Sequence, residues 1–169
     1  PWVADAHLAD LLLLAHPTEG GTEWHALAPA LVQVTPCASI DASRRLATVA
    51  WAASDATRIA DAAHGQVLAD ALLNRGALNV SSQLLGLAQR MLDLTVDYAA
   101  QRKQFGKPIG AFQAVKHHLA DVVTKIEFAK PVLYHAASAL ARNAPDSAVR
   151  ASHAKLVCAE AGWFSARKG

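Results

Sequence analysis

Residues 84–122 read LLGLAQRMLDLTVDYAAQRKQFGKPIGAFQAVKHHLADV, a helical pattern, a short break and a second helical pattern. Around and before the break, Ala77, Val80, Leu84, Leu87, Met91, Leu94 and Tyr98 recur at spacings of three and four, and Leu85, Ala88, Leu92 and Val96 form a second apolar row beside them. A helix apolar over so wide an arc is expected to pack on more than one side. After the break, Val115, Leu119, Val122, Ile126, Ala129, Leu133, Ala136 and Leu140 keep the same rhythm over roughly seven turns. Pro131 falls inside this run, and because an interior proline costs about 3 kcal/mol and removes a backbone hydrogen bond, a kink is expected there. The segment NAPDS (143–147) breaks the chain again and supplies Pro145 and Asp146 as start signals for a third helix traced by Val149, His153, Leu156, Glu160 and Trp163. Long helices joined by short turns make most of an antiparallel up-down bundle, so the fold is expected to be mainly α.

Working back towards the N-terminus, the pattern changes near Gly65. WVADAHLADLLLLAH, HALAPALVQVTP and RRLATVAW are short apolar segments bounded by turn formers and read as strands. LADLLLLAH, the most apolar of them, reads as a buried strand, being far shorter than the roughly 18 apolar residues of a membrane span. The organisation expected is thus a partial antiparallel β-domain over residues 1–60 and a helical bundle over 66–169. From Pro1 at the start and SARKG at the end of an unfinished helical pattern, a segment of a larger polypeptide is expected, with the bundle's remaining helix coming from a further C-terminal stretch or a neighbouring subunit.

Composition limits the function classes. With 53% hydrophobic and 18% charged residues the chain is globular, and a formal charge of +2 with no aromatic-basic stripe gives no basis for nucleic-acid binding. Cys37 and Cys158 lie far apart, so neither a disulfide framework nor a zinc site is suggested, and a reducing, cytoplasmic setting is the default. His117 and His118 are adjacent on a helix and point about 100° apart, so no shared metal ion is expected. Asp93, Asp97 and Asp121 lie at the edges of apolar stripes and read as ion-pair or capping groups, Met91 and Trp163 as core, and Cys158 as a small buried hydrophobe.

The break itself, QRKQFGKPIGAFQ (101–113), has two readings. In one it is a helix connection in which Gly106 and Gly110 turn the chain, Pro108 stiffens it and Phe105 and Phe112 plug the end of the bundle. In the other it is an anion site: Arg102 offers a planar fork, Gln104 and Gln113 offer amide donors, and the following helix contributes backbone N–H groups and its positive end. Two phenylalanines able to flank a planar ring then imply a partner that is aromatic and phosphorylated, such as a dinucleotide.

The stretch 84–122 closely resembles the C-terminal helical domain of acyl-CoA dehydrogenases, whose hallmark is an R-x-Q-F-G turn followed by F-Q and a second long helix. WVADAHLAD resembles a strand end of that family's middle β-domain, and SIDASRRLATVAW a later strand pair of it. The resemblance covers nearly the whole chain but only about the second half of such an enzyme. It implies an FAD cofactor, an acyl-CoA substrate dehydrogenated to the 2,3-enoyl-CoA, an oligomer (a dimer of dimers) whose subunits share FAD sites, and an electron-transferring flavoprotein as acceptor. Carried over, Arg102 holds the FAD pyrophosphate, Gln104 and Phe105 line the adenosine portion, and Phe112 and Gln113 complete that pocket. Trp2 matches the tryptophan beside the flavin ring, with Val3 and Ala4 after it.

Three positions depart from the family pattern. Ala4 stands where a threonine hydroxyl often bonds the flavin. The carboxylate that removes the α-proton occupies one of two family positions; one falls on Gly76, which has no side chain, and the other lies beyond Gly169, so no catalytic base is assigned. Ala77 takes the place of the arginine that helps bind CoA, and Arg75, two residues earlier, is the substitute candidate. The resemblance therefore implies either an acyl-CoA dehydrogenase or a non-catalytic, FAD-clamping subunit that pairs with a catalytic homologue. Straight-chain, branched and steroid side-chain acyl groups all stay open.

Overall fold

The computed structural model describes residues 2–41 and 43–168. The chain divides into two compact units at the Ala71–Leu72 link.

The first unit is built from β1 (Trp2–Ala4), β2 (Leu12–Thr18), β3 (Gly21–Leu27), β4 (Gln33–Pro36), β5 (Leu46–Ala50) and β6 (Arg58–Ala60). They form two antiparallel sheets in the orders β1-β5-β4 and β2-β3-β6. Leu12, Leu14 and Leu27 meet Ala6, Ala47 and Val49 in a shared core, with Val3 and Trp51 packed against it. The leucine run is a strand, but a one-sided one. Leu12 and Leu14 are buried while Leu13 is 55% exposed, because the period of two sends alternate side chains to opposite faces and only one face of the sheet is covered within this chain.

Helix α1 (Ala62–Gln101) begins three residues ahead of Gly65 rather than after it. Asp61 caps it by accepting the His64 backbone N–H at 3.0 Å, and that bond holds the Asp61 carboxyl below the usual carboxylate range. Gly65 fits within the helix because a strand backbone crosses it there: Trp24 Nε1 donates to the Gly65 carbonyl at 3.0 Å.

The second unit comprises the rest of α1 with α2 (Gln113–Ala141) and α3 (Ser147–Lys168). Leu85, Ala88, Leu92, Val122, Ile126, Ala129, Leu133, Cys158 and Ala161 form its core. The α2 stripe expected from the sequence is the buried one over Val122–Ala136, and α2 continues through Pro131 as one helix. Of the two apolar rows on α1, Leu85, Ala88 and Leu92 are buried, joined by Ser81 and Ala99, whereas Val96 of the same row is 45% exposed and Leu87, Leu94 and Tyr98 of the other row stay more than half exposed. Packing on more than one side is therefore not achieved within this chain.

On α3 the helix lies where expected but shows the opposite face. Ala151, Ala154, Cys158, Ala161, Gly162 and Ser165 are buried, while Val149, Leu156 and Trp163 are 71%, 59% and 66% exposed. Small side chains let helix backbones approach closely, and a Cβ added at Gly162 would already touch the Leu84 side chain at 3.5 Å. Trp163 is thus not core, and Met91 is only half-buried. Cys158 is fully buried, as read, and burial pushes its thiol above the ordinary cysteine value.

Candidate functional site

The break between α1 and α2 is a minimal hairpin of β7 (Lys103–Gln104) and β8 (Lys107–Pro108). Its two-residue loop is Phe105–Gly106, and both have positive φ, 54° and 79°. That backbone matches the primed hairpin turns, whose twist suits two antiparallel strands. Glycine takes it freely, but a phenylalanine there costs about 1–2 kcal/mol. What the cost secures is position: Phe105 is 92% exposed, so it does not plug the bundle. The hairpin is closed by Ile109 N–H donating to the Arg102 carbonyl at 2.8 Å, and Arg102 N–H donates to the Tyr98 carbonyl of the last α1 turn. Gly110 packs closely beneath it, since an added Cβ would lie 3.1 Å from the Ala99 carbonyl oxygen and push it by a few tenths of an ångström. A cavity of about 380 Å³ lined by Val96, Ala99, Pro108 and Leu119 underlies this crossing.

Phe105→Asn should relieve the left-handed strain, since asparagine tolerates this conformation, and raise stability by about 1 kcal/mol. A chemical denaturation curve checks this; a lower midpoint would show that the phenylalanine ring contributes more to the folded chain than its backbone costs.

The α2 N-terminus is open. Phe112 precedes it without a side-chain cap, and its first turn holds no acidic residue. Lys116 stands there instead, its N–H donating to the Phe112 carbonyl at 3.2 Å, although the positive end of a helix favours anions. The Arg102 side chain is exposed, and among the described residues its guanidinium enters no ion pair. Gln104 and Gln113 are also exposed. The structure thus gathers Arg102, Gln104, Phe105, Phe112 and Gln113 on one hairpin and the helix end it feeds. Phe112 is half-buried and already engaged: Phe105 meets it edge-on at 6.1 Å, and Lys107 Nζ sits 4.5 Å over its face. The Lys107 contact is a cation–π pairing that the sequence reading missed.

Trp2, Val3 and Ala4 lie in β1, opposite Thr48, Ala47 and Leu46 of β5. Trp2 is 75% exposed, Val3 packs on the β core and Ala4 is exposed. The turn after them is fixed by Asp5 in the left-handed region, held by Arg45 at 2.8 Å. On α1, Gly76 is exposed, and an added Cβ would meet nothing within 4 Å. It sits beside the outward row of Leu73, Val80 and Leu87. Arg75, about 100° further around the helix, lines a different recess of about 430 Å³ with Leu78, Asn79, Ala137, Leu140 and Asn143. Among the described residues no three His, Cys, Asp or Glu side chains converge as a metal would need, and no helix is long and apolar enough to cross a membrane.

The long helices, the hairpin between them and the preceding antiparallel strands make an arrangement to which comparison with known proteins gives a family. Residues 63–168 match the family model "Acyl-CoA dehydrogenase, C-terminal domain", and the chain belongs to the acyl-CoA dehydrogenase family. It is 34% identical over 169 residues to acyl-CoA dehydrogenase IpdE2 of Mycobacterium tuberculosis, covering 99% of this chain and 46% of that protein. It is 47% identical over 88 residues to the caffeyl-CoA reductase-Etf complex subunit CarC of Acetobacterium woodii, covering 52% of this chain and 23% of that one. Among solved structures, butyryl-CoA dehydrogenase from Megasphaera elsdenii superposes with a TM-score of 0.84 at 24% identity, over 95% of this chain and 45% of that one. The ChsE4-ChsE5 complex from Mycobacterium tuberculosis does so with 0.83 at 26% identity, over 99% and 46%. The chain spans less than half the length of each of these relatives.

Proposed function

We infer that the protein containing this chain is an FAD-dependent acyl-CoA dehydrogenase, with residues 1–60 the end of its middle β-domain and 66–169 its C-terminal bundle. The observation that carries the reading is the 102–113 hairpin: an arginine with no ion pair among the described residues, an outward phenylalanine held against backbone strain, and an uncapped helix start without an acid together fit a phosphorylated aromatic ligand. In this reading Arg102 pairs with the FAD pyrophosphate, and Gln104, Phe105, Phe112 and Gln113 border its adenosine portion. The family resemblance implies that the FAD reached by this hairpin belongs to a neighbouring subunit, and the outward Phe105 is compatible with that. Trp2, Val3 and Ala4 stand by the flavin ring, and Ala4 offers it no side-chain hydroxyl. FAD, when bound, supplies the hydride acceptor for β-carbon oxidation of an acyl-CoA, and its electrons pass on to an electron-transferring flavoprotein. Arg75, two residues before Ala77, is the candidate for the role of the missing family arginine.

Arg102→Ala should lower FAD affinity by about 1.5–3 kcal/mol, the range for hydrogen bonds to charged groups, and Arg102→Lys should restore it only in part, since an ammonium lacks the planar fork. Flavin retained per subunit after gel filtration of the full-length protein measures this. Unchanged retention in the alanine variant would return the hairpin to a plain helix connection.

A second reading rests on Gly76. With no side chain there and open space around it, this chain brings no carboxylate to that helix position, which suits a subunit that clamps FAD while a homologous chain supplies the base. The resemblance to ChsE4-ChsE5, a two-component complex by its description, is consistent with such an arrangement.

A further inference from the structure

On β3 the ring of His25 is 1% exposed, and its two nitrogens meet different surroundings. Nδ1 lies 3.0 Å from Thr57 Oγ1, and Thr57 Oγ1 itself donates to the Ser54 carbonyl at 3.0 Å. A hydroxyl has one proton to give, so Thr57 can only accept from the ring, and Nδ1 is thereby assigned as a donor. In a neutral imidazole Nε2 is then a bare acceptor. It is buried without a hydrogen-bond partner among the described residues, and the group that faces it, Glu23 Oε2 at 3.6 Å, is an acceptor too. Two lone pairs turned on each other away from water repel, and one further proton between them would remove the conflict.

We propose that His25 and Glu23 form a proton-binding site: a proton on Nε2 makes the ring an imidazolium paired with the Glu23 carboxylate, and this pair fastens residues 53–58 to β3. A recess of about 250 Å³ lined by Ser54, Asp55 and Arg58 adjoins the pair, but Nε2 itself is closed to solvent, so a proton is the ligand that fits. The charges on the neighbouring elements agree. Arg58 of β6 donates to Glu23 Oε1 at 3.1 Å and to Asp55 Oδ1 at 2.8 Å, so two carboxylates share one guanidinium and the cluster stays negative until His25 takes a proton. Trp51, just after β5, sets its ring 5.0 Å from that of His25, and an indole attracts a cation. His16 of β2, half-buried, meets both rings edge-on at 6.0 Å and 5.7 Å; it opposes the charge only when it is charged itself, and the carboxylate lies against His25.

The proton acts on the chain through Thr57. The Thr57 carbonyl accepts the Ala26 N–H at 2.9 Å, its hydroxyl accepts from His25, and Arg58 follows it into β6, so the segment leading to α1 is tied to β3 around this ring. While Nε2 is protonated the tie is complete. As pH rises and that proton leaves, the two acceptors oppose each other again and the segment opens.

The ¹⁵N shifts of the His25 ring in the full-length protein, identified by their loss in His25→Gln, read both nitrogens directly. Both should be protonated at about pH 6 and Nε2 bare at about pH 8, the interval in which histidine charge acts as a switch. Over the same interval the Ala26 N–H protection factor should fall about tenfold or more, as expected when a hydrogen bond to a charged group is lost. In Glu23→Gln the amide can donate to a bare Nε2, so the ring should be neutral at about pH 6 and the Ala26 protection should no longer depend on pH. The proposal is overturned if the parent protein shows a neutral His25 ring at every pH at which it stays folded, or if the ring charges while Ala26 protection does not follow. It is equally overturned if Glu23→Gln leaves both titrations unchanged, which would mean that His25 takes its proton without the carboxylate. The first two outcomes are read on the parent protein, so they decide the matter even where Glu23→Gln does not fold.

Discussion

Gly65→Ala is expected to destabilise the protein by about 3 kcal/mol, the upper part of the range for overpacked sites. The methyl group would sit 1.9 Å from the Thr22 carbonyl oxygen and 3.0 Å from both the Thr22 carbonyl carbon and Trp24 Cδ1. Two of those three atoms are strand backbone, so no side-chain rotation relieves the contact. The approach is fixed from the other side as well. Gly21 holds φ at 136°, where an added Cβ would lie 2.5 Å from the Ala62 carbonyl oxygen, and Thr22 Oγ1 donates to Gln66 Oε1 at 2.9 Å. Moving the β2–β3 hairpin off the first turn of α1 would therefore break the Trp24–Gly65 hydrogen bond along with this one. The control lies on the same helix. Gly76 has open space around it, so Gly76→Ala should raise stability by about 1 kcal/mol through helix propensity alone. Denaturant midpoints at constant slope measure both; equal small gains would mean that strand and helix backbones do not meet at Gly65 in solution.

The contrast between these glycines shows what the sequence could convey. Both stand inside apolar helical patterns, and nothing local separates the one that admits a carbonyl oxygen from the one that faces outward. The helices themselves were legible, because spacings of three and four over so many turns leave little alternative, and the α2 stripe was read on its buried face. The α3 face was not. Hydropathy favours Val149, Leu156 and Trp163 as core, whereas close helix packing selected Ala151, Ala154, Cys158 and Gly162, whose value lies in small size. LADLLLLAH read as buried throughout because its composition hides the alternation that the sheet imposes. At the candidate site, the R-x-Q-F-G residues and the turn between the helices were legible as a motif. The left-handed backbone at Phe105 and the Lys107–Phe112 pairing arise from hairpin geometry that composition does not express.

The largest functional effect is expected at Gly76, where the two readings of the site diverge. Removing the α-proton of an acyl thioester requires a carboxylate within hydrogen-bonding reach of the reacting carbon, since the proton must be taken up as the hydride leaves the β-carbon. A glycine cannot provide it, and the helix leaves that position open to whatever lies outside the bundle. If the protein is an FAD-clamping subunit without its own base, the full-length protein should retain flavin yet show no bleaching when mixed anaerobically with acyl-CoA thioesters, and should gain activity when coexpressed with a homologue that carries the acid. Gly76→Glu then supplies a carboxylate at one of the two family positions. Because the site tolerates a Cβ and glutamate is a better helix former than glycine, the change should also be stabilising, by roughly 0.5 kcal/mol, so lost folding will not mask the result. Bleaching by this variant, at a rate that falls as pH drops and the new carboxylate protonates, would identify position 76 as facing the substrate. Bleaching by the unmodified protein alone would instead eliminate the subunit reading and place the base elsewhere in the full-length chain. No bleaching by either, with flavin still bound, would mean that Gly76 does not face the acyl group and that the alignment of this helix with the family's base position is wrong.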